Sequence, residues 1–106
     1  MPKYLLKVSY TLQGIQGVRK EGGSGRREAA AKVAESVGGK LESFYFAFGA
    51  TDVYAVADLP DNVAAANLAT AVAAGGGATL ETVPLLTTDE VDKAVKGAVE
   101  YRAPGA

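Results

Sequence analysis

The chain of 106 residues carries eleven basic and twelve acidic side chains, for a net charge of −1, and 48% of its residues are hydrophobic. This composition is typical of a single globular domain over residues 1–106, and its charge gives no reason to expect a nucleic acid or an anionic membrane as partner. Cysteine and histidine are both absent, which excludes disulfides, thiolate catalysis and the ligands preferred by zinc and copper. We therefore expect neither a transition metal nor a cofactor.

The first half of the chain predicts a strand, a helix and a hairpin. Residues 3–11 alternate as a strand, and a short helical turn over 12–21 follows. Residues 22–28 form a glycine-rich entry to a helix, with Ser24 as its N-cap and Gly38-Gly39 at its end. The apolar face of the first strand consists of Tyr4, Leu6, Val8 and Tyr10, opposite Leu5, Lys7 and Ser9.

The hairpin over residues 40–59, with a turn at 49–52, has apolar residues on both faces. In its first strand the alternation groups Leu41, Ser43, Tyr45 and Ala47 against Glu42, Phe44, Phe46 and Phe48. In its second strand it groups Val53, Ala55 and Ala57 against Tyr54, Val56 and Asp58. Because a hairpin with one face in water alternates more cleanly, we expect packing on both faces.

The second half predicts two helices around a strand. Asp61 caps an alanine-rich helix that ends near Ala74, and residues 78–86 form a strand in which Pro84 marks an edge. Thr87 and Glu90 have the spacing of a capping box. A third helix then carries the apolar stripe Val91, Ala94, Val95, Ala98 and Val99. The order β-α-β-β-α-β with an extra C-terminal helix predicts an α+β, ferredoxin-like fold with a four-stranded antiparallel sheet.

Several segments resemble the GYD domain family: MPKYLLKVSYT, KEGGSGRREAAAKVAESVGGKLESFYFAFG, DVY, DLPDNVAAANLATAVAAGG, PLLTTDEVDKAV and YRAPG. The resemblance covers nearly the whole chain and implies a dimeric α+β barrel, in which two subunits press their open sheet faces together. We therefore expect a homodimer or a higher oligomer. The glycine and aspartate of the family's motif match Gly49 and Asp52, but Thr51 stands at the tyrosine position, so no role for a phenol there is carried over. The family implies no defined chemistry.

The strongest candidate for a ligand site is the stretch over residues 22–27. Glycines, a helix start and the guanidinium groups of Arg26 and Arg27 are features of an anion site. Neighbouring helical residues point about 100° apart, so we expect Arg27 with the Ser24 hydroxyl to hold the anion and Arg26 to pair across a subunit boundary. The alternative is a mobile loop whose arginines pair with Glu21, Glu28 or a neighbouring subunit.

Other candidate residues lie on the strands and in the hairpin turn. Asp52 is a carboxylate at the mouth of a pocket or, alternatively, a residue that stabilises the turn. Lys7, Tyr10 and Tyr45 are candidates for ligand contact in a cavity, where they would serve as acid, base or hydrogen-bond donor. These patterns predict a homo-oligomeric ligand-binding or assembly module for a small apolar or anionic molecule. The alternatives are a cofactor-independent oxygenase or isomerase, as in related α+β barrels, and a purely structural oligomer.

The sequence shows no signal for export or for a membrane anchor. No N-terminal segment combines a basic start, an apolar run and a cleavage site, and no run reaches transmembrane length. We expect a cytoplasmic protein, although the mature form of an exported one would also lack a leader.

Overall fold

The computed structural model describes residues 1–106 and shows a four-stranded antiparallel sheet with two helices on one face. The elements are β1 (Lys3–Tyr10), α1 (Leu12–Ser36), β2 (Lys40–Phe46), β3 (Val53–Asp58), α2 (Asn62–Ala74), β4 (Ala78–Leu85) and α3 (Thr88–Ala94). The strand order is β2-β3-β1-β4. The predicted ferredoxin-like βαββαβ fold with an additional C-terminal helix is confirmed.

The core lies between the sheet and helices α1 and α2. The predicted alternation of side chains along β1 and β3 is confirmed, and the groups that contain Tyr4 and Val53 are the ones turned toward the helices. Val53 and Leu59 are completely buried. The buried cluster consists of Tyr4, Leu6, Val53, Ala55, Ala57, Leu59, Ala65 and Leu68.

A bulge in β2 overturns the predicted grouping of its side chains. Leu41 pairs with Ala57, but the next pair joins Ser43 to Val56, which leaves Glu42 as an extra residue. The bulge shifts the alternation by one position, and Leu41 therefore shares the helix-covered face with Phe44 instead of lying beside Ser43. The rings of Phe44 and Phe46 meet edge to face on that side, with centroids 5.3 Å apart.

Helix α1 consists of two helical segments that meet at Gly22, so the predicted helical turn over residues 12–21 and the second helix after the glycine-rich entry are both present. Its N-cap is Thr11, whose hydroxyl accepts a hydrogen bond from the Gly14 amide at 3.2 Å. The predicted N-cap role of Ser24 is therefore wrong, since Ser24 lies within the helix. The helix is interrupted at Gly22, where φ is 81° and ψ is 170°. This left-handed φ suits glycine, and it explains why the sequence pattern suggested a helix start nearby.

The predicted N-cap and end of α2 and the predicted edge position of β4 are confirmed. The Asp61 carboxylate caps α2 by accepting from the Ala64 amide at 2.9 Å, and the helix ends at Ala74. Strand β4 lies at an edge of the sheet. This position agrees with the prediction from Pro84, because proline has no amide N–H to donate to a further strand.

Helix α3 starts as predicted but is much shorter than its apolar stripe. Both hydrogen bonds of the capping box between Thr87 and Glu90 are present, at 2.9 and 3.1 Å. The helix ends at Ala94, however, and none of its residues is buried. Val95 and Val99, which were expected to continue it, are 75% and 83% exposed. Most of the stability of a short helix comes from packing against the rest of the protein. Because α3 has no such packing, extending the helix beyond Ala94 would add little stability, and the segment beyond Ala94 is not helical.

Candidate functional site

Two adjoining cavities lie between the helices and the sheet. The inner cavity, of about 90 Å³, is almost wholly apolar, since 13 of its 14 lining residues are hydrophobic. The outer cavity, of about 380 Å³, lies between the first half of α1 and the end of α2 and opens toward solvent. The two share the lining residues Tyr10, Arg26, Val33, Val72 and Ala78. Ligand sites in proteins are usually largely apolar with a few polar groups, and this pair of cavities has that character.

One wall of the outer cavity is held in place by hydrogen bonds from Thr11 and by the close packing of Gly14 against Gly77. The Thr11 amide donates to the Gly77 carbonyl at 3.0 Å, and the Thr11 hydroxyl donates to the Gly76 carbonyl at 2.9 Å. These bonds hold the start of α1 against the connection between α2 and β4. A side chain at Gly14 would overlap the Gly77 carbonyl oxygen. The close approach therefore depends on glycine, and it places Gly14 and Gly17 in the cavity lining.

Arg26 is the one basic residue that lines the cavities, and it lies at their junction. Its Nη1 donates to Glu21 Oε2 at 3.4 Å, while its buried Nε has no hydrogen-bond partner. This pairing with Glu21 was one of the two alternatives drawn from the sequence. Arg27 and Ser24, the pair expected to hold an anion, are both exposed and line neither cavity.

Tyr10 and Asp52 are brought together at the end of β1. Asp52 Oδ2 accepts a hydrogen bond from the Tyr10 amide at 2.8 Å, and the Asp52 amide donates to the Val8 carbonyl at 2.8 Å. The Ala47 amide also donates to the Asp52 carbonyl, at 2.8 Å. Asp52 thus ties the hairpin connection to β1, as the alternative for this residue stated. The Tyr10 side chain lines both cavities, whereas Asp52 lines neither.

Lys7 and Tyr45 lie on the other side of the sheet, which we call the open sheet face. Lys7 Nζ lies 3.4 Å from Glu81 Oε2, and the Tyr45 side chain is 71% exposed beside its cross-strand neighbour Tyr54. Lys7, Tyr10 and Tyr45, expected together in one cavity, are therefore separated by the sheet.

The open sheet face also carries a cluster of ion pairs and an apolar row. Lys3 Nζ lies 2.9 Å from both Glu42 Oε2 and Asp58 Oδ1. Hydrogen bonds to Glu42 and then to Asp58 raise the pKa of Lys3 above its ordinary value. Beside this cluster, Leu5 pairs with Val56 on one side and with Val83 on the other. An apolar row thus crosses three strands with no helix over it.

The cavities could not be found by sequence patterns, because their walls come from all four strands and from both α1 and α2. The only local signals were the small residues Gly14 and Gly17 on one side of α1 and the charge at Arg26. No group of three or more acidic side chains is arranged to hold a metal ion. None of the helices has the length and apolar character needed to cross a membrane.

The comparison with known families agrees with this architecture. The model of the GYD domain family matches residues 4–95, which span the sheet, both covering helices and α3. No curated protein and no solved structure matches the chain. The resemblance seen in the sequence is confirmed, and the chain belongs to the GYD domain family.

Proposed function

We propose that this protein is a homo-oligomeric module that binds a small, largely apolar molecule between its helices and its sheet. The observation that carries the proposal is the inner cavity, whose lining is hydrophobic except for Arg26. A water molecule needs only about 10–15 Å³ and two to four polar partners. The inner cavity is several times larger, and only two of its lining residues, Arg26 and Tyr10, carry a polar side-chain group, so an apolar group suits it better than water.

The positions of the candidate residues favour binding over catalysis. Tyr10 is the one member of the expected acid, base and donor set that reaches the cavities. Lys7 is engaged with Glu81 on the opposite face of the sheet. A cofactor-independent enzyme of the oxygenase or isomerase type would need a base beside the substrate, and the one carboxylate that lines the cavities, Glu21, is paired with Arg26.

The binding proposal is tested with octan-1-ol and octanoate as probes, by thermal unfolding and calorimetry. A bound probe stabilises the folded chain by RT ln(1 + [L]/Kd), so the melting temperature should rise with probe concentration and saturate. Ala30→Leu fills the inner cavity, because Ala30 lines it, and should abolish the rise. Ala29→Leu is the matched control, since Ala29 is also half-buried but lines neither cavity. If neither probe stabilises the wild type, the cavity is not a ligand site.

The open sheet face supports the second part of the proposal, self-assembly. Tyr45 and Tyr54 are 71% and 41% exposed, next to the apolar row through Leu5. An apolar patch of this kind on a sheet marks an interaction surface. A second copy of the chain is the partner that we propose, because the Lys3, Glu42 and Asp58 cluster beside the patch carries both signs of charge. A two-fold axis can set unlike charges of such a cluster opposite each other.

Light scattering at low micromolar concentration tests the assembly. We expect a mass of at least twice the 10.8 kDa of one chain. Val56→Asp places a charge in the apolar row and should shift the mass toward the monomer. Val63→Asp is the control, because Val63 is 77% exposed on α2 and lies away from the open sheet face. A wild-type protein that scatters as 10.8 kDa would refute the assembly.

A further inference from the structure

We infer that the ligand of the cavities carries an anionic group, such as a carboxylate, on an apolar body, and that Arg26 binds this group. The inference rests on the proposed binding function and adds the chemical class of the ligand. It assigns the anion to Arg26 instead of to Arg27 and Ser24, which the sequence favoured.

The hydrogen-bonding capacity of Arg26 is largely unused within the chain. A guanidinium has five N–H donors, and the one side-chain acceptor that Arg26 contacts is Glu21 Oε2, at 3.4 Å. Charge-assisted bonds between arginine and a carboxylate are normally about 2.7–2.9 Å long, so this contact is a weak one. The Nε is buried without a partner. A buried donor left unsatisfied destabilises the folded chain, and a ligand oxygen at Nε would remove that cost.

The surroundings of Arg26 favour a single negative charge over a neutral ligand. Glu21 is the only carboxylate that lines either cavity, and it is half exposed at the rim. The inner cavity contains no acidic residue to repel an anion. In such an apolar environment an anion is stable only when it is paired, and Arg26 supplies the one cation.

The position of Arg26 defines the shape of the ligand as well as its charge. Arg26 lines both cavities, so an anionic group bound to it lies at their junction. An apolar tail then extends from the junction into the inner cavity, among Ala30, Leu41 and Phe44. The limited volume there holds only the end of an alkyl chain such as that of octanoate. Glu21 competes with the ligand for Arg26, so it lowers the affinity for anions.

The experiment compares octanoate with octan-1-ol, which differ only in the head group, by calorimetry at matched ionic strength. We expect the wild type to bind octanoate about 10- to 100-fold more tightly than octan-1-ol, the effect of hydrogen bonds to a charged partner. Arg26→Gln should bind both probes with similar affinity, and Glu21→Gln should bind octanoate more tightly than the wild type does. Arg27→Gln is the matched control, with the same loss of charge one residue away on the exposed side of α1, and should keep the preference for octanoate.

The possible outcomes separate this inference from the proposed function. Equal affinity of the wild type for both probes would overturn the inference and leave the binding function intact. Absence of binding by either probe would overturn both. A preference that survives Arg26→Gln but disappears in Arg27→Gln would assign the anion to Arg27 and refute the role of Arg26. Arg26→Lys guards against a folding artefact, because it keeps the charge and should retain part of the preference while the thermal unfolding of each variant confirms that it is folded.

Discussion

Alanine substitutions at Gly14 and Gly17, one turn apart on α1, should change stability in opposite directions. A Cβ at Gly17 would meet no atom within 4 Å. Gly17→Ala therefore only raises helix propensity and should stabilise the protein by about 1 kcal/mol. A Cβ at Gly14 would overlap the carbonyl oxygen of Gly77 and would lie 2.8 Å from its carbonyl carbon. The same substitution there forces α1 away from the connection that precedes β4.

The loss of stability caused by Gly14→Ala follows from the hydrogen bonds that join the start of α1 to the connection before β4. Relieving the overlap requires a shift of about 1 Å or more. That shift disrupts the two hydrogen bonds from Thr11 to Gly76 and Gly77, at 2.9 and 3.0 Å, which are worth about 1–3 kcal/mol together. Overpacking strain adds about 1–3 kcal/mol. After the gain of about 1 kcal/mol in propensity, Gly14→Ala should destabilise the protein by about 1–5 kcal/mol.

Thermal unfolding followed by circular dichroism measures both changes. For a chain of this length 1 kcal/mol corresponds to a shift of about 4 °C in Tm. Gly17→Ala should thus raise Tm by about 4 °C, and Gly14→Ala should lower it by about 4–20 °C. If both substitutions raised Tm equally, the close approach of Gly14 to Gly77 would be refuted, and with it the wall of the outer cavity.

Four further substitutions probe the core, a surface site and a helix cap by denaturant titration or hydrogen exchange. Leu59→Ala, at a completely buried site, should cost about 2–5 kcal/mol, while Leu86→Ala, at a 68% exposed site, should change stability by less than about 0.5 kcal/mol. Tyr4→Phe removes the 2.6 Å bond to Asn62 and should cost about 1 kcal/mol. Hydrogen bonds from the backbone and side chain of Thr87 lower the pKa of Glu90 from its ordinary value of 4.5. Below pH 4.5 the unfolded segment therefore binds more protons than the folded one. Amide protection of α3 should therefore be full above pH 4.5 and be lost as pH falls through the lower folded pKa, and Glu90→Gln should remove this dependence while preserving the cap.

The features that sequence patterns predicted correctly are those determined by neighbours in the chain. The caps at Asp61 and Thr87 depend on hydrogen bonds to an amide three residues later, so a short stretch of sequence contains all the information. The alternation along β1 and β3 is similarly local, because both are uninterrupted inner strands.

The features that were predicted wrongly depend on distant contacts. The bulge at Glu42 is defined only by the register against β3, and no residue type in β2 predicts a bulge there. The apolar stripe from Val91 to Val99 has helical spacing, but within this chain nothing packs on it and the helix stops at Ala94. Ser24 resembled an N-cap because glycines surround it, yet Thr11 caps the helix, which continues past the interruption at Gly22.

The difference between Arg26 and Arg27 shows the same limit at the candidate site. A step of one residue turns a helical side chain by about 100°, so the sequence predicted that only one of the two arginines would face a ligand. We expected that residue to be Arg27, but the choice depends on where α2 and β4 lie around α1, which the sequence does not contain. The structure places Arg26 at the cavities and leaves Arg27 exposed.

The central position of β1 determines how ligand binding and assembly can influence each other. This strand pairs with β3 and β4, directs Tyr10 into the cavities and directs Lys7 to the open sheet face. Coupling between two sites requires that occupation of one changes the free energy of the other. Here the two surfaces are separated by the thickness of one hydrogen-bonded strand, and side chains of adjacent residues serve opposite faces. A ligand that displaces Tyr10 would therefore act on the open sheet face through the backbone of β1, whereas an anion bound by Arg26, on α1, would leave that face undisturbed.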